Sequence, residues 1–251
     1  MVESMDTQIA QLADFLRQSQ KAVVFSGLGI STESGPPKFR KPHKPHKIIK
    51  FSDFIGSEDI RREFWRNRFS GGGFDWSHLE PNKGHLAVAE LVKLGKVSSV
   101  ITQCVDNLHR RSGVPDDRLI EYHGNSTYAA CIDCWKRYEL TEVRAIFEHN
   151  ETLPVCSDCG GIINIAWILF GQPIPEEAKR LAKQEAMACD LFLILGTALQ
   201  VYPAADLPKV AKQNGAVLII INLEATDFDD SCDLVIHQPI ELTLPNAVER
   251  I

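Results

Sequence analysis

The stretch KAVVFSGLGISTESGPPKFR, residues 21–40, changes character part of the way along. Residues 22–25 are continuously apolar, the pattern of a short strand buried on both faces of a parallel sheet. Gly27 and Gly29 then break the run. Ser31, Thr32 and Glu33 follow, residue types that open a helix. Strand, glycine turn and helix start in that order bring backbone N–H groups toward an anionic group. Gly27-x-Gly29 is half of a dinucleotide fingerprint, with Thr32 where the third glycine would stand. A G-x-G by itself is equally a plain structural turn, so the rest of the chain decides between the two.

Working outward, further apolar runs have strand length: 97–102, 119–122, 162–170, 190–196, 216–221 and 233–237. Amphipathic or polar stretches of helical period separate them. They lie near the amino terminus (Ile9, Leu12, Phe15 and Leu16 on one face), over 52–69, 86–94 and 175–187, and before 216. This alternation predicts an α/β fold with a Rossmann-like, doubly wound parallel sheet. Several strands end in small or polar residues, including Gln103-Cys104-Val105-Asp106, His123-Gly124, Gly196-Thr197-Ala198 and Asn222-Leu223-Glu224. The carboxyl ends of parallel strands are where such sheets bind ligands.

The 251 residues are 44% hydrophobic and 24% charged, enough for one large domain or a domain with an insertion. The net charge of −6 argues against a general nucleic-acid binder. Residues 38–50 carry five lysines and one arginine without an acid, a basic loop beside an anionic ligand or simply a solvated one. No apolar run approaches the ~20 residues of a membrane span, and the amino terminus lacks a secretory pattern. The expectation is a cytoplasmic protein with no membrane partner and no direct nucleic-acid binding.

Four of the seven cysteines form two C-x-x-C pairs, Cys131/Cys134 and Cys156/Cys159. Two such knuckles close a tetrahedron of thiolates around zinc, and four protein ligands leave no open position, so the metal is structural.

In order along the chain stand Gly27-x-Gly29-x-Ser31, Ser34-Gly35-x-Pro37-x-Phe39-Arg40, Thr102-Gln103-x-x-Asp106-x-Leu108-His109, His123-Gly124, the paired cysteines, Phe170-Gly171, Gly196-Thr197, Val201-x-Pro203-Ala204 and Ile221-Asn222. Together they resemble the sirtuins, NAD-dependent protein deacylases, over nearly the whole chain and most closely in the bacterial single-domain form. The resemblance implies that the nicotinamide–ribose bond of NAD is cleaved and ADP-ribose is passed to the oxygen of an acyl-lysine amide. It implies His123 as the general base on a ribose hydroxyl. It implies NAD contacts by Gly27, Leu28, Gly29, Ser31, Glu33, Phe39, Arg40, Gln103, Cys104, Asp106, Gly196, Thr197, Ala198, Asn222, Leu223, Glu224 and Cys232. Phe170 and Gly171 match the edge where an acyl-lysine protein or peptide adds as a strand. The matching division is a Rossmann-like part at about 8–39, 80–125 and 166–240, with a small helical and zinc-ribbon domain at about 40–79 and 126–165.

Departures from the family pattern cluster around one pocket. Leu28 replaces alanine, Pro36 isoleucine, Lys38 aspartate and Cys104 asparagine; Trp167 stands where a smaller residue is usual. The expected activity is therefore lysine deacylation with an altered pocket. NAD hydrolysis, ADP-ribosyl transfer, or NAD and acyl-lysine binding with weak catalysis are the alternatives on the same scaffold.

Overall fold

The computed structural model describes residues 4–35, 48–71 and 76–251. Among them the strands are β1 (Ala22–Ser26), β2 (Val97–Thr102), β3 (Leu119–Glu121), β4 (Gly124–Cys131), β5 (Arg137–Tyr138), β6 (Ile163–Trp167), β7 (Leu191–Leu195), β8 (Val217–Ile221) and β9 (Leu234–Ile236). The α-helices are α1 (Met5–Gln18), α2 (Phe51–Gly56), α3 (Glu58–Phe69), α4 (Lys83–Lys93), α5 (Leu108–Arg111), α6 (Leu140–Glu148), α7 (Glu176–Ala188), α8 (Leu207–Gln213) and α9 (Ile240–Val248).

Six strands form one parallel sheet in the order β3-β2-β1-β7-β8-β9. Its inner strands β1, β7 and β8 are buried on both faces, which explains their apolar runs. Val24, Val100, Leu193 and Ile219 pack against Leu12 and Leu16 of α1, Val88 and Leu91 of α4, and Leu244 of α9. The alternate residues Val23, Phe25, Phe192, Ile194 and Ile220 pack against Ala182 and Ala186 of α7 and Ala211 of α8. From β1 the chain builds toward β3 on one side and later toward β9 on the other. The strand order therefore reverses between β1 and β7, the crevice where open α/β sheets bind ligands.

A second sheet, β5-β4-β6, is antiparallel. Ile163 and Ile165 of its β6 strand share a core with Phe54 of α2, Phe64 and Trp65 of α3, and Val143 and Phe147 of α6. Two segments far apart in sequence thus complete one small hydrophobic core.

Four expectations need correction. The helix expected over 52–69 is two helices, because Ser57 adopts an extended backbone and its hydroxyl caps α3 by accepting from Ile60 N at 3.3 Å. Ser31, Thr32 and Glu33 do not begin a helix; they complete a 3₁₀ turn, Leu28–Ser34, that closes on Gly35 at φ 91°. Helix α4 starts at Lys83, ahead of the expected 86, because the Asn82 side chain accepts from Gly84 N and His85 N. Helix α9, with Pro245 inside it, lies beyond the last expected element and covers α4 and α1. The basic loop falls outside the described residues except for 48–50.

Candidate functional site

The turns after β1 and β7 meet backbone to backbone. Gly27 N donates to Leu195 O at 2.9 Å and Gly29 N to Gly196 O at 2.7 Å. A Cβ on Gly29 would lie 2.6 Å from Gly196 Cα, and one on Gly27 2.6 Å from Thr197 Cβ. The immediate need for glycine at 27 and 29 is thus the docking of two turns, in addition to any ligand. Leu28 is half-buried, and Gly29 and Glu33 are exposed at this rim.

The exit of β2 joins the same place. Gln103 Nε2 donates to Thr197 Oγ1 at 3.1 Å. Ser31, fully buried, donates to Asp106 Oδ2 at 2.7 Å, and Leu108 N donates to Asp106 Oδ1 at 2.9 Å. Burial pushes the Asp106 carboxyl above the ordinary carboxylate range against the pull of these donors. Cys104 packs in the apolar core with Ile30 and Val114, and its desolvated thiol is pushed well above the usual thiol range, which makes it inert as a nucleophile.

His123 stands between the exit of β2 and the end of β6. Its backbone carbonyl accepts from Ile168 N at 2.9 Å. Its ring Nδ1 lies 3.3 Å from the Gln103 carbonyl, which only accepts, so Nδ1 carries the proton and the Nε2 lone pair is left to act as a base. Burial holds its pKa below 6.5, partly offset by the Gln103 bond, so the ring is neutral at pH 7. Three residues beyond β6, Phe170 is 66% exposed, its carbonyl accepts from Phe51 N at 2.9 Å, and exposed Gly171 follows at φ 83°. Trp167, expected near the peptide groove, turns its ring toward Phe64 at a centroid distance of 6.2 Å.

At the same end of the sheet, Gly196 N donates to Ile221 O, and Asn222 follows with its amide donating to Glu224 O at 2.6 Å. Ala198 is half-buried beside Thr197, and Leu223 is exposed. Cys232 does not join this group. It precedes β9, level with the amino end of the sheet, where Asp233 N donates to Leu218 O; its thiol faces Phe228 O. The residue that does follow β9 at the crevice end is His237, whose Nδ1 lies 2.9 Å from Asn222 O. Phe39 and Arg40, with Pro36 and Lys38, lie outside the described residues.

Two buried histidines were given no site role from the sequence, although His109 closes one of the quoted motifs. His85 and His109 lie ring to ring at 5.1 Å beneath Ser31 and Ser26. The available signal for His85 was Asn82 followed three residues later by a side chain able to bond back, the spacing of a capping box.

In the second sheet the four cysteine Sγ atoms all lie within 4.8 Å of one another, with three pairs at 3.5 Å. A tetrahedral zinc with Zn–S of ~2.3 Å sets its sulfurs ~3.8 Å apart. Disulfides need ~2.05 Å, so the thiols fit a metal rather than a bridge. The two knuckles repeat one bond: Trp135 N to Cys131 O at 3.0 Å, and Gly160 N to Cys156 O at 2.9 Å. Both donors have positive φ, 61° for Trp135 and 74° for Gly160. Tyr138 OH donates to Cys156 Sγ at 3.2 Å, which favours the thiolate.

The family model for "Sir2 family" matches residues 27–203. A relative from Rhodopseudomonas palustris named "NAD-dependent protein deacetylase" is 43% identical over 96% of this chain and 96% of its own length. One from Archaeoglobus fulgidus named "NAD-dependent protein deacylase 2" is 39% identical over 98% and 97%. The solved structure described as "Sir2-p53 peptide-NAD+" superposes with a TM-score of 0.82 at 33% identity, covering 96% of this chain and 97% of that one. Another, "Sir2 bound to acetylated peptide", gives 0.82 at 32% identity over 98% of each. A doubly wound sheet, a four-thiol ribbon and these full-length likenesses agree: the chain belongs to the Sir2 family.

Proposed function

We propose that this chain is an NAD-dependent protein-lysine deacylase, moving the acyl group of an acyl-lysine to ADP-ribose with release of nicotinamide. The observation that carries the reading is His123, a neutral imidazole tethered by Nδ1 with its Nε2 available beside the reversal point of the sheet. NAD lies in that crevice, against the docked turns of Gly27, Gly29, Gly196 and Thr197, with Gln103, Ser31 and Asp106 toward the ribose and nicotinamide end. Asn222, Leu223 and Glu224 form the adenosine side. The exposed edge at Phe170 and Gly171 receives the acyl-lysine peptide; the Phe170 carbonyl is already taken by Phe51 N, so the added strand pairs with the main chain that remains beside it. The lysine amide oxygen takes the ribose carbon as nicotinamide leaves. His123 Nε2 then accepts a proton from a ribose hydroxyl, whose oxygen attacks the former amide carbon; with uptake of one water the C–N bond breaks, the lysine amine leaves and the acyl group stays as an ester on ADP-ribose. Zinc in the cysteine site supplies structure and no step of the reaction. Among the described residues no helix is long and apolar enough to cross a membrane.

Incubation with NAD and a panel of acyl-lysine peptides, read by mass spectrometry, tests this. Nicotinamide and an acyl-ADP-ribose ester are expected in equal amounts. Free ADP-ribose without the ester would assign the scaffold to NAD hydrolysis instead. His123→Ala should lower kcat about 10²- to 10⁴-fold while leaving NAD binding, measured by calorimetry, within a few-fold. The acid limb of kcat/KM should have its midpoint below pH 6.5, since burial lowers the His123 pKa and the base is lost only when the ring protonates. A limb above pH 6.5 would exclude His123 as that base.

A further inference from the structure

The turn that carries His123 is closed by side chains on either flank of it. Tyr122 and His123 join β3, the edge of the large sheet, to β4 of the small one. Asn125, two residues past the imidazole, is fully buried. Its Nδ2 donates across the turn to Glu121 Oε1 at 2.6 Å, and to Asn107 Oδ1 at 3.0 Å. Its Oδ1 accepts from Thr127 N at 2.8 Å and from Thr127 Oγ1 at 2.7 Å. Both amide protons and both lone pairs are thereby used. The amide has one orientation, since turning it over would set its oxygen against two acceptors.

The partners are themselves held. Arg110 Nη1 donates to Asn107 Oδ1 at 2.6 Å and to Glu121 Oε1 at 3.0 Å, so both oxygens that Asn125 reaches are acceptors and the cation compensates the carboxylate. Arg110 Nε donates in turn to Asp116 at 2.6 Å. Asn107 presents its oxygen from a backbone at φ 66°, the left-handed region that asparagine tolerates. On the main chain, Tyr122 N donates to Thr102 O at 2.9 Å and Ser126 N to Val105 O at 2.8 Å, which brackets the turn against the exit of β2. Between these two bonds the His123 ring has, among the described residues, one polar tether: Nδ1 to the Gln103 carbonyl, at a long 3.3 Å.

We infer that Asn125 is a positioning residue for the general base: its amide clasps Glu121 and Asn107 across the turn and so keeps the His123 ring on the Gln103 carbonyl, without itself touching NAD or the acyl-lysine. The inference rests on the reading of His123 as that base. It explains why an amide is buried at the junction of the two sheets, where an apolar side chain would cost less in desolvation. A fully bonded polar cluster fixes one geometry, which a weak 3.3 Å tether alone does not.

Two measurements test it. In the unmodified protein labelled with ¹⁵N-asparagine, both side-chain amide protons of Asn125 are expected to exchange slowly. Exchange at the rate of an exposed asparagine overturns the clasp whatever the variants do. In variants, Asn125→Leu, close in size, should lower kcat about 10- to 100-fold, the worth of a hydrogen bond to a charged group, with KM for NAD within about twofold. The acid limb of kcat/KM should move to lower pH: burial lowers the His123 pKa and the Gln103 contact raises it, so a ring freed from that carbonyl protonates later on acidification. Asn107→Gly, unstrained at φ 66°, removes one acceptor and should show both changes at smaller amplitude. Asn125→Asp, which sets a second carboxylate against Glu121, should lower kcat at least as far as Asn125→Leu. Folded variants in which kcat is unchanged, or falls without movement of the limb, overturn the inference whether or not the melting temperature drops. His123→Ala separates the two claims. If it lowers kcat while Asn125→Leu and Asn107→Gly do not, only the role of Asn125 fails. If His123→Ala leaves kcat unchanged, the reading of the base itself fails.

Discussion

Stripping the metal from the cysteine site is expected to unfold the small sheet while the six-stranded sheet persists. The ribbon has little else to hold it. β5 is two residues long, and Cys134 and Cys159 are exposed. Its apolar support is the small core of Ile163, Val143 and Phe147 against Trp65 and Phe64. Four thiols within 4.8 Å of one another, unligated, would be crowded neighbours with weak mutual bonds. Structural zinc contributes about 10 kcal/mol or more in small metal-dependent folds, as large as the whole stability of many domains. A chelator titration followed by hydrogen exchange should show β4, β5 and β6 losing protection first. A thiol reagent should then label Cys131, Cys134, Cys156 and Cys159 rapidly. Cys104 and Cys189, both buried, should stay protected, the latter with its thiol pushed up to about 12. Equal labelling of all buried cysteines on chelation would mean that the metal supports the whole molecule.

Acidification from pH 7 to pH 4 is expected to remove several kcal/mol of stability through two residues. Desolvation lowers the pKa of His85 to about 2, helped by the charge of a protonated His109, and that of His109 to about 4. Both titrate at 6.5 when exposed. The unfolded chain therefore binds protons at these sites below pH 6.5 while the folded one resists. Stability is intact above pH 6.5 and declines as pH falls through that value toward about 4 for His109 and lower for His85. At pH 4 each contributes about 3 kcal/mol of loss, against a typical total of ~5–15. Asp106 works the other way, because its raised pKa favours the fold in acid, and it offsets part of the loss. Urea unfolding at pH 7, 5.5 and 4 should show a midpoint falling steeply, and His109→Gln should flatten the slope. A midpoint independent of pH down to 4 would contradict the buried neutral pair.

The parallel sheet was legible because its inner strands are buried on both faces, so that runs such as Leu191–Leu195 are apolar without alternation. The four-thiol site was legible because C-x-x-C spacing reports a local turn. Helix α9 was hidden by Pro245, which reads as a breaker yet is tolerated in a helix closed on Pro239. Strand β4 was hidden by its small and polar residues, GNSTYAAC, whose partner β6 lies more than thirty residues away. In the site, the residues after each strand were found together, since a parallel sheet gathers its carboxyl ends. Cys232 was not among them because its place depends on which end of β9 it precedes, a matter of register that spacing does not encode. His85 escaped for a similar reason: its neighbours Ser31 and His109 lie on either side of it in the chain and are joined only by folding.

The root of the small sheet is where Gly124 pairs with Trp167 and Ile168 N reaches His123 O. β4 runs from that root to Cys131, at most ~23 Å at 3.3 Å per residue. The thiolate cluster is thus the far end of a lever whose fulcrum carries the imidazole. On an arm of that length, a 5° tilt at the fulcrum sweeps the far end through about 2 Å. A paired spin label near the knuckles would therefore act as a pointer, magnifying changes in the posture of His123 that are too small to resolve at the histidine itself.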